Sequence, residues 1–142
     1  MRILLLNGPN LGRLGQRNPQ MYGTTTLREV VEQAKTHAVE RGSSLIDFQS
    51  NHEGALIDRL EDLDFDGVVI NPGALGHTSY ALRDAIEGID RPVVEVHISD
   101  VHKREPFRHV LVLEDVVIGQ VIGHGTAGYL EAIDMLIDHS AQ

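Results

Sequence analysis

The chain has 142 residues, 42% of them hydrophobic and 23% charged, which suits one globular domain with a sizeable core. Without cysteine it can form neither disulfides nor thiolate metal sites, and no apolar run approaches the roughly 18 residues of a membrane span. A formal net charge of −9 argues against nucleic acid as a general partner.

The opening Met1-Arg2-Ile3-Leu4-Leu5-Leu6 superficially resembles a signal peptide, but its apolar run is too short and lacks a small-residue cleavage site. A cytoplasmic protein with a buried first strand over Ile3 to Leu6 is expected. Asn7 to Gly23 follows, with four glycines, two prolines and almost no periodicity. Loops of that length inside compact domains are usually functional or disordered. Thr26-Leu27-Arg28-Glu29 is a capping box opening a helix whose apolar face is Leu27, Val30, Val31, Ala34 and Ala38, with Gly42 as its stop. Leu45 to Phe48 is a second strand. Ser50-Asn51-His52-Glu53 offers another capping box, before a helix with Leu56, Ile57, Leu60 and Leu63 inward.

Gly67 to Ile70 reads as a third strand and Asn71 to His77 as its loop. Thr78 or Ser79 caps the next helix, with Ala81, Leu82, Ala85, Ile86 and Ile89 on one side. Pro92 to Ser99 is a fourth strand, and Val116 to Ile122 a fifth. Gly123 to Gly128 leads into a last amphipathic helix through Tyr129, Ile133, Leu136 and Ile137. Short apolar strands alternating with helices imply a parallel sheet covered on both faces. The expected fold is α/β: a flavodoxin-like, doubly wound, five-stranded parallel sheet with helices on both faces, a single domain over 1–142.

Ligands of such sheets bind beyond the carboxyl ends of the strands. The polar candidates gather in the five segments placed there: Asn7 to Tyr22, Ser50 to Glu53, Asn71 to Thr78, His97 to Arg108 and Gly123 to Gly128. On a strand, Glu95 and His97 share a face, and a carboxylate beside an imidazole holds its orientation and favours its charged form. That suits a catalytic acid or base, and it also suits a merely satisfied histidine at a strand end. Lys103, Arg104 and Arg108 in one segment, with Arg13 and Arg17 in another, fit a small anionic ligand or solvated surface charge. A guanidinium held beside a phenol favours the phenolate, so Tyr22 with Arg17 is a candidate base; a tyrosine that only packs is the alternative.

Gly123 to Gly128 fits G-x-G-x-x-G, yet no later strand completes a βαβ unit, so a tight turn is the better reading than a dinucleotide site. No G-x-x-x-x-G-K-[ST] loop is present, nor an H-E-x-x-H pair, and His97 with His102 is not a standard ligand pair. No metal is expected.

In order along nearly the whole chain, several motifs resemble the type II 3-dehydroquinate dehydratases. They are Asn7-Gly8-Pro9-Asn10-Leu11, Arg17 with Tyr22-Gly23, Gln49-Ser50-Asn51-His52-Glu53-Gly54 and Ile70-Asn71-Pro72-Gly73-Ala74. His77-Thr78-Ser79, Ala81 to Ala85, Glu95-Val96-His97-Ile98-Ser99, Arg104-Glu105, Phe107-Arg108 and the glycine segment through Tyr129 complete the set. The resemblance implies anti elimination of water from 3-dehydroquinate to 3-dehydroshikimate, through an enolate and without cofactor or metal, in the shikimate pathway or in quinate catabolism. It makes Tyr22 the base supported by Arg17, His97 the acid oriented by Glu95, and Asn10 the residue positioning a water at the enolate oxygen. Asn71, His77, Ile98, Ser99 and Arg108 match the substrate-binding set, and Asp84 an aspartate that reaches a neighbouring subunit's site. It further implies a homododecamer of four trimers and a loop that closes over the substrate.

The chain departs from the family's commoner residues at Gly12, Asn18, Gly76, Asp100, Pro106, Val110-Leu111 and Ala127, none of them a proposed catalytic group. Two other readings stay open. One is a non-enzymatic module binding a small anion or a nucleotide, although three tyrosines, three phenylalanines and no tryptophan provide poorly for flavin stacking. The other is the same chemistry on a different cyclic hydroxy-ketone acid.

Overall fold

In a computed structural model describing residues 1–142, five parallel strands form one sheet in the order β2-β1-β3-β4-β5. They are β1 (Arg2–Asn7), β2 (Ser44–Gln49), β3 (Gly67–Asn71), β4 (Val93–His97) and β5 (Gly119–Ile122). The helices are α1 (Pro19–Tyr22), α2 (Leu27–Glu40), α3 (Glu53–Glu61), α4 (Tyr80–Gly88) and α5 (Ala127–Ser140). None is long and apolar enough to cross a membrane.

Successive strand residues face opposite sides, so each buried strand feeds two cores. Ile3, Leu5, Val69, Val94 and Val96 pack with α2 and α5 on one side. Leu4, Leu6, Val68, Ile70 and Val93 pack with α3 and α4 on the other. This is the doubly wound sheet the pattern predicts. Its strand order reverses between β1 and β3: the chain leaves β1 toward β2 and leaves β3 toward β4. The two departing loops therefore diverge and open a crevice, with Asn7 and Asn71 paired at its floor.

Helix ends explain where expectation and structure agree. The capping box of α2 forms, with Thr26 Oγ1 accepting from the Glu29 amide at 3.2 Å and Glu29 Oε1 from the Thr26 amide at 3.3 Å. Gly42, at φ +75°, takes the left-handed turn that ends the helix. Ser79 caps α4 by accepting from the Leu82 amide at 2.9 Å.

Three expectations need correcting. The Ser50–Glu53 capping box does not form: α3 starts at Glu53, and Ser50 Oγ accepts from the His52 amide instead. The Glu53 carboxylate is drawn across to the α4 cap, where it accepts from Ser79 Oγ at 2.5 Å. Leu63 is 45% exposed rather than inward, because α3 ends before it and the chain turns through φ +51° there. The fifth strand spans only Gly119–Ile122, since Glu114–Val116 curls into a 3-10 turn that packs Val116 and Val117 onto the α3–α4 core.

The long loop after β1 is structured too. It contains a 3-10 turn (Leu11–Arg13) and the single-turn α1, and buried Leu11 and Leu14 pin its base to the core.

Candidate active site

A cavity of about 140 Å³ lies at the crevice. The β1 loop contributes Asn10, Arg17 and Tyr22, the end of β3 and its loop Asn71 and His77, and the stretch after β4 His97, Ile98, Ser99, Arg104 and Arg108. Three segments far apart in sequence thus converge because each lies at or follows the carboxyl end of a strand. Of the site residues expected from sequence, only Glu95 and Asp84 are absent from the wall. Glu95 lies buried behind His97, and Asp84 sits exposed on α4.

On β4, Val94 and Val96 face the α2–α5 core, which turns Glu95 and His97 to the opposite side. Glu95 is fully buried and His97 is 5% exposed. A buried carboxylate is costly unless its oxygens are bound, and here both are. Oε2 lies 2.6 Å from His97 Nε2, and Oε1 accepts from Gln120 Nε2 at 2.8 Å. His97 Nδ1 has no protein partner and is the nitrogen left for a ligand. Gly76 packs closely on this pair: a Cβ there would stand 3.1 Å from Glu95 Oε2 and 3.2 Å from His97 Cε1.

Tyr22 is approached by two guanidinium groups. Arg17 stacks 4.6 Å from its ring centre, with Nη2 3.5 Å from the hydroxyl. Arg104 comes nearer, its Nη1 donating to the Tyr22 hydroxyl at 2.8 Å and to Ser99 Oγ at 3.2 Å. Sequence reasoning placed Arg104 in a basic segment without giving it a role. The signal was available, since that segment follows the strand bearing His97. Arg104 Nε is buried without a hydrogen-bond partner, so its guanidinium is held in place with donor capacity to spare. Arg17, Arg104 and Arg108 give the cavity a positive wall in an acidic chain, which fits an anionic ligand.

The crevice floor is a second group that the sequence did not reveal. Tyr129, fully buried at the start of α5, donates to Asn7 Oδ1 at 2.7 Å and accepts from Asn71 Nδ2 at 2.9 Å. Burial pushes its hydroxyl well above the ordinary phenol range, so it stays protonated as the donor this network needs. The Gly73 amide completes the set by donating to Asn71 Oδ1 at 3.1 Å. Asn71 is therefore locked in one orientation at the cavity wall.

His77 lies beside the acid–base pair, its ring centre 5.8 Å from that of His97. Desolvation lowers its pKa, overriding the raising effect of the Val110 carbonyl. Nδ1 donates to that carbonyl at 2.8 Å, which in the neutral ring leaves Nε2 as an acceptor. Asn10 is held by its backbone amide, which donates to Asn51 Oδ1 at 3.0 Å. Gly123 to Gly128 forms no part of the cavity wall and makes the turn into α5, as its position after the last strand suggested. No three His, Asp or Glu side chains are grouped as a metal ion would require.

Residues 1–137 match the family model described as dehydroquinase class II. The chain is 54% identical over 140 residues to the 3-dehydroquinate dehydratase of Anoxybacillus flavithermus, covering 97% of this chain and 95% of the relative. It is 52% identical over 134 residues to catabolic 3-dehydroquinase 1 of Neosartorya fischeri, covering 93% and 89%. The crystal structure of the type II dehydroquinase from Butyrivibrio crossotus superposes with a TM-score of 0.94 at 45% identity, over 96% of this chain and 97% of that one. Motifs, strand order and these likenesses agree, and the chain belongs to the class II dehydroquinase family.

Proposed function

We propose that this cavity eliminates water from 3-dehydroquinate to give 3-dehydroshikimate, making the chain a 3-dehydroquinate dehydratase, a hydro-lyase. One observation carries the assignment of roles. A tyrosine hydroxyl facing two guanidinium groups and a histidine backed by a buried carboxylate line the same ring-sized cavity. A void near 150 Å³ holds a six-membered ring, so about 140 Å³ suits a cyclic hydroxy acid.

Tyr22, as phenolate, takes the proton alpha to the ketone, and Arg17 and Arg104 supply the positive charge that the phenolate needs. The electrons of the broken C–H bond form an enolate, whose oxygen meets a water positioned by Asn10. The enolate collapses, the C–O bond breaks, and the hydroxyl leaves as water with a proton from His97, whose imidazolium Glu95 orients. The phenol and the neutral imidazole then exchange protons with solvent to restore the starting state. Asn71, His77, Ile98, Ser99 and Arg108 hold the ring hydroxyls and the carboxylate, with Arg108 the natural partner of the carboxylate. Base and acid come from different segments, the loop and the sheet.

The test is formation of the conjugated enone of 3-dehydroshikimate, followed by absorbance with and without chelator. Enone should appear at equal rates in both. No enone rejects the activity, and loss with chelator rejects the metal-free route.

The same reading extends to assembly as a homododecamer of four trimers, in which Asp84 completes a neighbour's site. In its own chain Asp84 lies outside the cavity, and Tyr80, Phe107 and Val110 stand 69%, 63% and 64% exposed, as apolar side chains awaiting a partner would. Size exclusion with light scattering should give the twelve-chain mass, and a fully active monomer would reject it.

A further inference from the structure

The reading of His97 as the acid leaves open how the proton comes to be on the right nitrogen. Register supplies the means. Glu95 on β4 pairs directly with Gln120 on β5, so the two side chains leave the sheet on the same face as neighbours. Glu95 Oε1 accepts from Gln120 Nε2 at 2.8 Å, and no other side chain binds that oxygen. The last torsion of a glutamate is soft. A carboxylate tethered only through Oε2 can rotate and offer the imidazole either oxygen, or both at longer range. Tethered at both ends, it holds Oε2 at 2.6 Å from Nε2 of the ring.

We propose that Gln120 is a positioning residue for proton transfer from His97, resting on the general-acid role given to that histidine above. By holding Oε1 of Glu95, Gln120 fixes Oε2 as the partner of the Nε2 proton and leaves Nδ1 to carry the proton that is transferred. The bond also satisfies an acceptor on a carboxylate with no access to water. It is made in the free enzyme and does not touch the cavity wall, so its effect belongs in turnover and not in substrate binding.

Gln120→Met keeps the side chain's length and removes its donor. Its kcat should fall about tenfold, the scale on which partners behind a working histidine act, with KM within about twofold. In a Glu95→Gln background the same substitution should change kcat by less than about twofold, because the carboxylate through which it acts is gone. Equal losses in both backgrounds, or a rise in KM alone, would show a packing role and overturn the inference. Should Gln120→Met fail to give a cooperative melt, Gln120→Asn, whose shorter amide cannot reach Oε1, takes its place with the same expected kcat loss. A wild-type enzyme without enone formation would reject the proposed reaction itself. An active wild type with unchanged kcat in the folded Gln120 variant rejects only this inference.

Discussion

The loop between β1 and α2 and the strand pair β4–β5 each carry half of the site, and they are built by opposite means. Tyr22 sits on a single-turn helix with no buried residue, held by cation–π stacking and by hydrogen bonds from two arginines. His97 sits at the end of a strand buried along its whole length, with its partner Glu95 fully enclosed and hydrogen-bonded at both oxygens. A base on the loop half can arrive with the substrate, whereas an acid on the sheet half is in place beforehand. Local stability follows contact density and burial, so the amides of α1 should exchange with solvent faster than those of β4.

Removing one chemical group from each half separates them most sharply. Tyr22→Phe and His97→Ala should each lower kcat by more than about 10³-fold, as loss of a proton-transfer group does. Their stabilities should part. Tyr22→Phe should melt like the parent, since it removes only a hydroxyl bonded to Arg17 and Arg104 and keeps the ring that packs against the core. His97→Ala leaves one oxygen of a buried carboxylate without its hydrogen-bond partner, which costs on the order of 2 kcal/mol. Equal melting temperatures for the two variants would contradict the contrast, and a Tyr22→Phe enzyme with parental turnover would sink the mechanism.

Arg104 joins the halves, since it grows from the segment after β4 yet bonds the loop tyrosine. Arg104→Leu should lower kcat by about 10²-fold, the scale of one lost charged donor at a reacting group. It should also speed proteolytic cleavage in the Arg13–Tyr22 loop, while Arg17→Leu, which leaves the Arg104 bond in place, should affect cleavage less. Equal cleavage rates in the two variants would show that Arg104 does not tether the loop.

Arg104 also shows how far the sequence could be read. The parallel sheet and the Glu95–His97 pair follow from short apolar strands alternating with helices and from the period-two geometry of a strand, because burial imposes those patterns on the chain. Arg104, Gln120 and Tyr129 follow from no pattern. Arg104 depends on the irregular path after Ser99, Gln120 on the register between β4 and β5, and Tyr129 on the rotation of α5 over the crevice floor. The same limit explains Leu63 and the shortened β5, where loop geometry overrode a pattern that was locally sound.

The crevice floor beneath both halves gives a smaller and more evenly spread effect. Tyr129→Phe strands Asn7 Oδ1 and one proton of Asn71 Nδ2 in a buried position, at a cost of about 2 kcal/mol in urea unfolding. Asn71 loses its fixed orientation, so KM should rise several-fold while kcat falls less. A fall in kcat alone would mean that Asn71 acts on the chemistry and not on the binding of a ring hydroxyl.

The smallest effect tests whether the fixed half keeps His77 neutral. Its folded-state pKa lies below the ordinary histidine value, near 6.5, because desolvation outweighs the raising influence of the Val110 carbonyl. His97 and Arg108 lower it further, and Glu95 raises it. The unfolded chain therefore takes up this proton more readily than the folded one. The stabilising contribution of neutral His77 is fully present above about pH 6.5 and is lost as pH falls through the folded-state value. His77→Gln removes that component, so the stability difference between pH 7.5 and pH 5.5, measured in urea, should be smaller in the variant than in the parent. Groups remote from His77 are common to both proteins and cancel from the comparison. A steeper decline in the variant would mean that Glu95 dominates and that His77 is charged. Its Nε2 would then donate to a substrate hydroxyl instead of accepting from it, and the two imidazoles 5.8 Å apart would compete for the single negative charge of Glu95.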